Sequence, residues 1–214
     1  MKKFFVIFCL IVTVLCFSAC EKTPDYSTFI SQVRFDILCG KNDNLTLLCY
    51  AEQRETPYAY DGVSNPLENL LIFKFDKEIC NLTLTFTTDK VYTLNVDNTL
   101  NRRFWQIKVN QFPTNSLAVT ITTENGQENV VLNSVKTTKT LSYNQAINSL
   151  KKQQPELFEE INESGNLYEI NVRLLWENNF LYYFVGLSQN GKTNAFLLDA
   201  ENGNVISKKQ IDHQ

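Results

Sequence analysis

The run Asp199-Ala-Glu-Asn-Gly-Asn is the nearest approach in this chain to a metal loop, since closely spaced carboxylates and amides suit calcium. Counted as an EF-hand loop from Asp199, the sixth position should be Gly and the twelfth Glu. They are Asn204 and Gln210, so the register fails, and Asn202-Gly203 reads as a hairpin turn. Glu159, Glu160 and Glu163 are close enough to suggest paired acid and base. Such pairs need environments that drive their pKa values apart, whereas these lie opposite Leu157, Phe158 and Ile161 and read as a solvated helix face. Tyr58 and Tyr60, in the stretch Glu55-Thr-Pro-Tyr-Ala-Tyr-Asp-Gly, form a loop that could offer a sugar or small molecule an aromatic platform. Trp105 would extend that platform, but it continues a core alternation and is expected to be buried. Cys39, Cys49 and Cys80 lack a nearby basic partner, and the single histidine, His213, is penultimate. A thiol nucleophile needs such a partner. One disulfide plus a free thiol, or three reduced buried thiols, are both open. No phosphate loop, nucleophile elbow or zinc-protease motif occurs. The expectation is a non-enzymatic protein with no metal and no cofactor.

The N-terminus carries a different chemistry. Lys2 and Lys3 precede the apolar run Phe4 to Phe17, followed by Ser18, Ala19 and Cys20. A basic start, a short apolar core and small residues before a cut form an export signal. The run is shorter than the about 20 apolar residues a spanning helix needs. Its small-small-Cys ending resembles the lipobox of bacterial lipoproteins. That resemblance implies cleavage after residue 19, a lipid on Cys20, and a mature chain anchored outside the membrane in the bacterial envelope. A cut without lipidation would leave Cys20 an ordinary residue. Residues 20–27 then form a polar tether. The chain has 20 Lys and Arg against 23 Asp and Glu, net −3, and removal of Lys2 and Lys3 deepens the acidic balance. Without a Lys/Arg cluster it has no footprint for nucleic acid.

Two kinds of periodicity organise the remainder. Over 28–135, short runs alternate apolar and polar residues: Val33, Phe35 and Ile37; Leu82, Leu84 and Phe86; Trp105, Ile107 and Val109; Leu117, Val119 and Ile121. With Leu45–Tyr50, Leu70–Phe75, Val91–Val96 and Glu128–Leu132 they make about eight strands, punctuated at Gly40–Asn44, Asp61–Pro66, Thr88–Lys90 and Asn125–Gly126. That spacing predicts an antiparallel β-sandwich, immunoglobulin-like in class. At 136–141 the period changes, and a domain boundary is placed there. Ser142 and Gln145 form a capping box ahead of a helical face of Tyr143, Ala146, Ile147 and Leu150. Pro155 breaks that helix and begins a second, closed by Gly165. Four strands follow, separated by Asn178–Asn179, Asn190–Gly191 and Asn202–Gly203.

The unit 141–212 resembles a PepSY-type domain, through the helix start Ser142 to Ala146, the strands Phe180–Ser188 and Thr193–Leu198, and the ending Leu198-Asp199-Ala200-Glu201-Asn202-Gly203-Asn204-Val205-Ile206. The resemblance implies an α+β module, a helix packed on a four-stranded antiparallel sheet, that binds or restrains another extracellular protein without catalysis. The helices should cover Tyr168, Ile170, Val172, Leu174 and Trp176. The opposite face would carry Asn171, Arg173, Leu175, Tyr182, Phe184 and Asn194. Arg173, Tyr182 and Phe184 are the candidate anchors for a protein or peptide, because Arg and aromatic residues dominate binding hot spots. Three alternatives stand beside this: the same face packs on the sandwich, the protein binds a small molecule or glycan through Tyr58 and Tyr60, or, ranked last, it is a hydrolase assembled from scattered Asp and Glu.

Overall fold

A computed structural model describes residues 26–42, 45–56, 65–76, 81–97, 104–163 and 168–212, with side chains at 27, 28 and 160–163 left aside. Among the described residues, twelve strands form one branched, mixed sheet. The predicted runs before the boundary become β1 (Ile30–Lys41), β2 (Thr46–Glu55), β3 (Leu67–Phe75), β4 (Leu82–Thr87), β5 (Val91–Val96), β6 (Trp105–Lys108), β7 (Ser116–Thr123) and β8 (Gly126–Ser134). Then come helices α1 (Tyr143–Gln153) and α2 (Pro155–Glu163), followed by β9 (Glu169–Glu177), β10 (Phe180–Gln189), β11 (Lys192–Asp199) and β12 (Val205–Asp212).

The branch point is β1. One of its edges runs against β2, which continues to β3 and β6. The other edge is divided. Its first half, Ile30 to Arg34, pairs in parallel with β9, and Leu38 and Cys39 pair with β8. Eight strands therefore lie side by side in the order β6-β3-β2-β1-β9-β10-β11-β12, while β8-β7-β4-β5 departs as a second layer.

One face of the eight-stranded array is covered from β6 to β11, by two different means. Beneath β1, β2, β3 and β6, the second layer closes a core in which Leu38, Cys49, Leu71 and Phe73 meet Leu84, Phe86, Leu117 and Leu132. The Phe73 and Phe86 rings sit 5.3 Å apart across the layers. Beneath β9, β10 and β11, the helices supply Ala146, Ile147, Leu150 and Phe158 against Ile170, Val172, Leu174, Tyr183 and Phe196. Tyr26, Ile30, Val33 and Ile37 join this second core, so β1 belongs to both.

This corrects the expected fold class. The helix-plus-four-strand α+β unit does not stand as a separate sheet behind an immunoglobulin-like sandwich; its strands continue a twelve-stranded mixed sheet. The physical reason lies at β9. An isolated meander would leave the β9 backbone unpaired along one edge above a strand with four consecutive buried residues, and β1 satisfies that edge in parallel. The boundary placed at 136–141 falls between elements that β1 ties together.

Local features form as the residues dictate. Ser142 Oγ accepts from Gln145 N at 3.3 Å, and Gln145 Oε1 accepts from Ser142 N at 2.8 Å. Pro155 begins α2 directly after Gln154, whose N–H caps the first helix on Leu150 O. Asn178, Asn179, Asn190 and Gly191 all have positive φ, which two-residue hairpin turns require. The Asp199–Asn204 segment is a hairpin loop docked on α1. Asp199 Oδ1 accepts from the amides of Glu201 and Asn202, while Gly203 O accepts from Ser149 Oγ and Gln153 Nε2. Gly40 falls inside β1 rather than in the expected turn. A Cβ there would lie 2.5 Å from Leu132 Cδ2 and 2.7 Å from Val131 O, so only glycine lets β1 cross this close to β8. At the far edge, β12 is exposed along nearly its whole length. Lys208, Lys209 and a bulge between Leu197 and Leu198 blunt it against further pairing.

Candidate functional site

Residues directly opposite in a ladder project to the same face. Register alone therefore assembles the face of the eight-stranded array opposite the two cores. Gln32 lies opposite Arg54, Arg34 opposite Glu52, Gln32 opposite Asn171, and Arg34 opposite Arg173. Arg173 is in turn opposite Phe184, Leu175 opposite Tyr182, and Glu169 opposite Ser188. The helix-side face carries the apolar core residues, and this one is a polar field crossed by arginine and aromatic side chains.

At its centre is a carboxylate with no solvent exposure. Glu52 Oε1 accepts from Gln32 Nε2 at 2.6 Å, and Oε2 accepts from Arg34 Nε at 3.1 Å and Nη2 at 2.9 Å. Arg54 Nη1 approaches Oε1 at 3.8 Å, and the Arg54 Nη2 donates to Gln106 Oε1 at 2.8 Å. The Arg34 guanidinium lies over the Tyr50 ring, 4.3 Å from its centroid. A buried carboxylate persists only when its charge and lone pairs are met, and two arginines and an amide meet them here. Further along, Ser31 Oγ donates to Asn171 Oδ1 at 3.2 Å, and the Ser188 and Thr193 hydroxyls share a bond of 2.7 Å.

Arg173 is arranged differently. Its guanidinium stacks on Phe184 with 4.5 Å from carbon to ring centroid. Its Nε is buried and donates to no acceptor. Among the described residues no carboxylate pairs with it, although Arg34 stands directly opposite. Like charges facing each other across a ladder repel. Glu52 offsets Arg34 and Arg54, and the third guanidinium has only a ring to lean on.

Of the residues singled out from sequence, Arg173, Tyr182 and Phe184 are thus on one face, all half-buried, beside a network in Arg34 and Glu52 that sequence reading did not anticipate. Asn171 shares the face but is buried. Asn194 does not share it: it lies opposite Leu187, on the helix side. The two-residue turn Asn190–Gly191 sets Gln189 opposite Lys192, and counting back from that pair would have placed Asn194 correctly. Tyr58, Tyr60, Cys20, Cys80 and His213 lie outside the described residues. Trp105 is 8 % exposed, packed edge-on against Phe75 in the sandwich core, as expected. Glu159 is exposed on α2.

Asp36, Cys39 and Cys49 are titratable groups outside the Glu52 network. Asp36 Oδ1 accepts from Ser134 Oγ at 2.6 Å and from Ile37 N at 2.8 Å, where β1 meets β8. Burial pushes its carboxyl above the usual range, and the two hydrogen bonds with nearby Lys136 only partly offset that. The Cys49 thiol, fully buried, is pushed far up by burial and then by Asp36, so it is a poor nucleophile. Cys39 and Cys49 are both free thiols, and burial also raises Cys39. Among the described residues no group of His, Cys, Asp and Glu is placed to hold a metal ion, and no helix is long and apolar enough to cross a membrane.

No protein-family model matches this chain, and neither a curated protein nor a solved structure matches it.

Proposed function

We propose that this is an exported, lipid-anchored binding protein of the bacterial envelope, without catalysis of its own, that takes another extracytoplasmic protein or peptide on the polar face of its sheet. The anchor part rests on the residues Ser18-Ala19-Cys20 after a basic, apolar leader. The binding part rests on one observation: strands β9 and β10, covered by the helices on one side, present half-buried Arg173, Tyr182 and Phe184 on the other. Aromatic and arginine side chains held on rigid strands lose little freedom on binding, which is why they serve as anchors. The scattered carboxylates argue against hydrolysis as the role of this face, since Glu52 is engaged by three donors and Asp199 by its own loop amides.

Capture from solubilised envelope by the full chain tests the reading. Tyr182→Ala should weaken capture of whatever the parent chain retains while leaving the thermal midpoint within a few degrees. Undiminished capture would end the assignment to this face. The anchor is tested separately, by metabolic lipid labelling that Cys20→Ser should abolish.

A further inference from the structure

We propose that Arg173 is a receptor for a carboxylate, so that the segment bound on this face is an acidic peptide. The inference rests on the binding-face reading above and gives its partner a chemistry. Three guanidiniums, of Arg34, Arg54 and Arg173, project to one face through register alone. The Glu52 carboxylate at their centre is spent on the first two, with 2.9 Å to Arg34 and 3.8 Å to Arg54. Arg173 has neither a carboxylate nor a hydrogen-bond acceptor for its buried Nε, and it stands opposite another arginine. An anion there would relieve the repulsion and take the unspent donors in the forked geometry that guanidinium offers a carboxylate.

The setting favours a peptide over a free ion. The guanidinium plane is already fixed by its stack on Phe184, so little freedom is lost when a carboxylate arrives. Leu175 and Tyr182, opposite one another on the adjoining rung, give neighbouring side chains of the same segment an apolar and aromatic surface. The chain as a whole is acidic, net −3, so attraction of an acidic segment has to come from a local cluster such as this one.

The test uses the full chain in detergent and a fluorescein-labelled octapeptide of alternating Glu and Tyr, with the Gln-Tyr octapeptide as its uncharged counterpart. The Glu-Tyr peptide should bind at least tenfold more tightly than the Gln-Tyr peptide, and the preference should shrink as salt rises. Arg173→Met should remove that preference. Where the Met variant does not fold, Arg173→Gln carries the comparison. Lys208→Gln with Lys209→Gln, which removes two charges at the far edge strand, should change affinity by less than twofold. Equal binding of the two peptides, an unaffected Arg173→Gln variant, or an equal loss in the lysine variant would each overturn the proposal. Envelope capture separates the two levels of inference. Capture lost in Tyr182→Ala but intact in Arg173→Gln would sink the carboxylate receptor and keep the binding face. Capture intact in both variants would sink the face itself.

Discussion

Replacing Glu52 and Arg34 singly and together measures how strongly the centre of the polar face is held. Glu52 has no exposed side-chain surface, while Arg34 and Arg54 keep 18 % and 26 % of theirs. The two single changes therefore differ in kind. Arg34→Met strands a carboxylate that no water reaches, with Gln32 and the more distant Arg54 as its remaining partners. Breaking a buried pair from that side costs about 3–5 kcal/mol. Glu52→Met strands two arginines that reach solvent, so the loss should be smaller, about 1.5–3 kcal/mol, the range for a hydrogen bond to a charged group. The double change puts two apolar side chains where the pair was, and such replacements are often neutral or stabilising. The cost of Arg34→Met should thus fall by more than half when Glu52 is already Met. Urea unfolding of the four proteins gives the cycle, and the expected loss for Arg34→Met corresponds to a midpoint about 6–20 °C lower in a chain of this size. Additive single and double changes, or single changes each below about 1 kcal/mol, would mean that solvent screens the pair and that the rigid, pre-formed face argued above does not exist.

A fragment of residues 136–214 lacks Tyr26, Ile30, Val33 and Ile37 of the helix-side core and should show no cooperative thermal transition, whereas residues 26–214 should keep one. Two separate cooperative fragments would refute the shared role of β1. Gly40→Ala should destabilise by about 1–3 kcal/mol in urea unfolding, because the added Cβ meets the Val131 carbonyl as well as movable side chains. An unchanged midpoint would show that β1 does not pass so close to β8. Asp36 sets a pH dependence. Its carboxyl is raised in the folded state by burial, so between the ordinary value of 3.8 and the folded value the folded chain binds more protons than the unfolded chain. Stability from this group is therefore greatest at low pH and falls as pH rises through that window. Asp36→Asn retains a carbonyl to accept from Ser134 and Ile37 and should gain on the parent chain as pH rises through that window, then level off above it. A difference independent of pH would mean the carboxyl is not raised.

Much of this architecture could be read in advance because its causes are local. The eight strands of the first part announce themselves through alternation, as in Leu82, Leu84 and Phe86 against Thr83, Thr85 and Thr87. The helix break at Gln154 follows from the missing N–H of Pro155. What could not be read is the joining of these pieces. Alternation tells which side chains of β1 share a face and is silent on which strand lies beside it, so the parallel pairing of Ile30–Arg34 with β9 left no signal. Irregularities at Ser31 and Phe35 further shift which β1 residues face which core. Gly40 shows the same limit: in sequence it is indistinguishable from a turn glycine, and only the passage of β8 explains it.

The same joining is what creates the proposed binding surface. Arg34, Arg54 and Glu52 come from the first part of the chain, and Arg173, Tyr182 and Phe184 from the last, and only β1 between β2 and β9 sets Arg34 opposite Arg173. Either part alone would hold an ordinary surface: a satisfied carboxylate–arginine network in one, a stacked arginine in the other. Brought edge to edge, they leave a guanidinium without an anion beside another guanidinium, on strands too well buried underneath to shift apart. Loosening β1, as Gly40→Ala should do, is therefore expected to weaken binding at Arg173 although Gly40 pairs in the β1–β2 ladder with Leu47, away from that site.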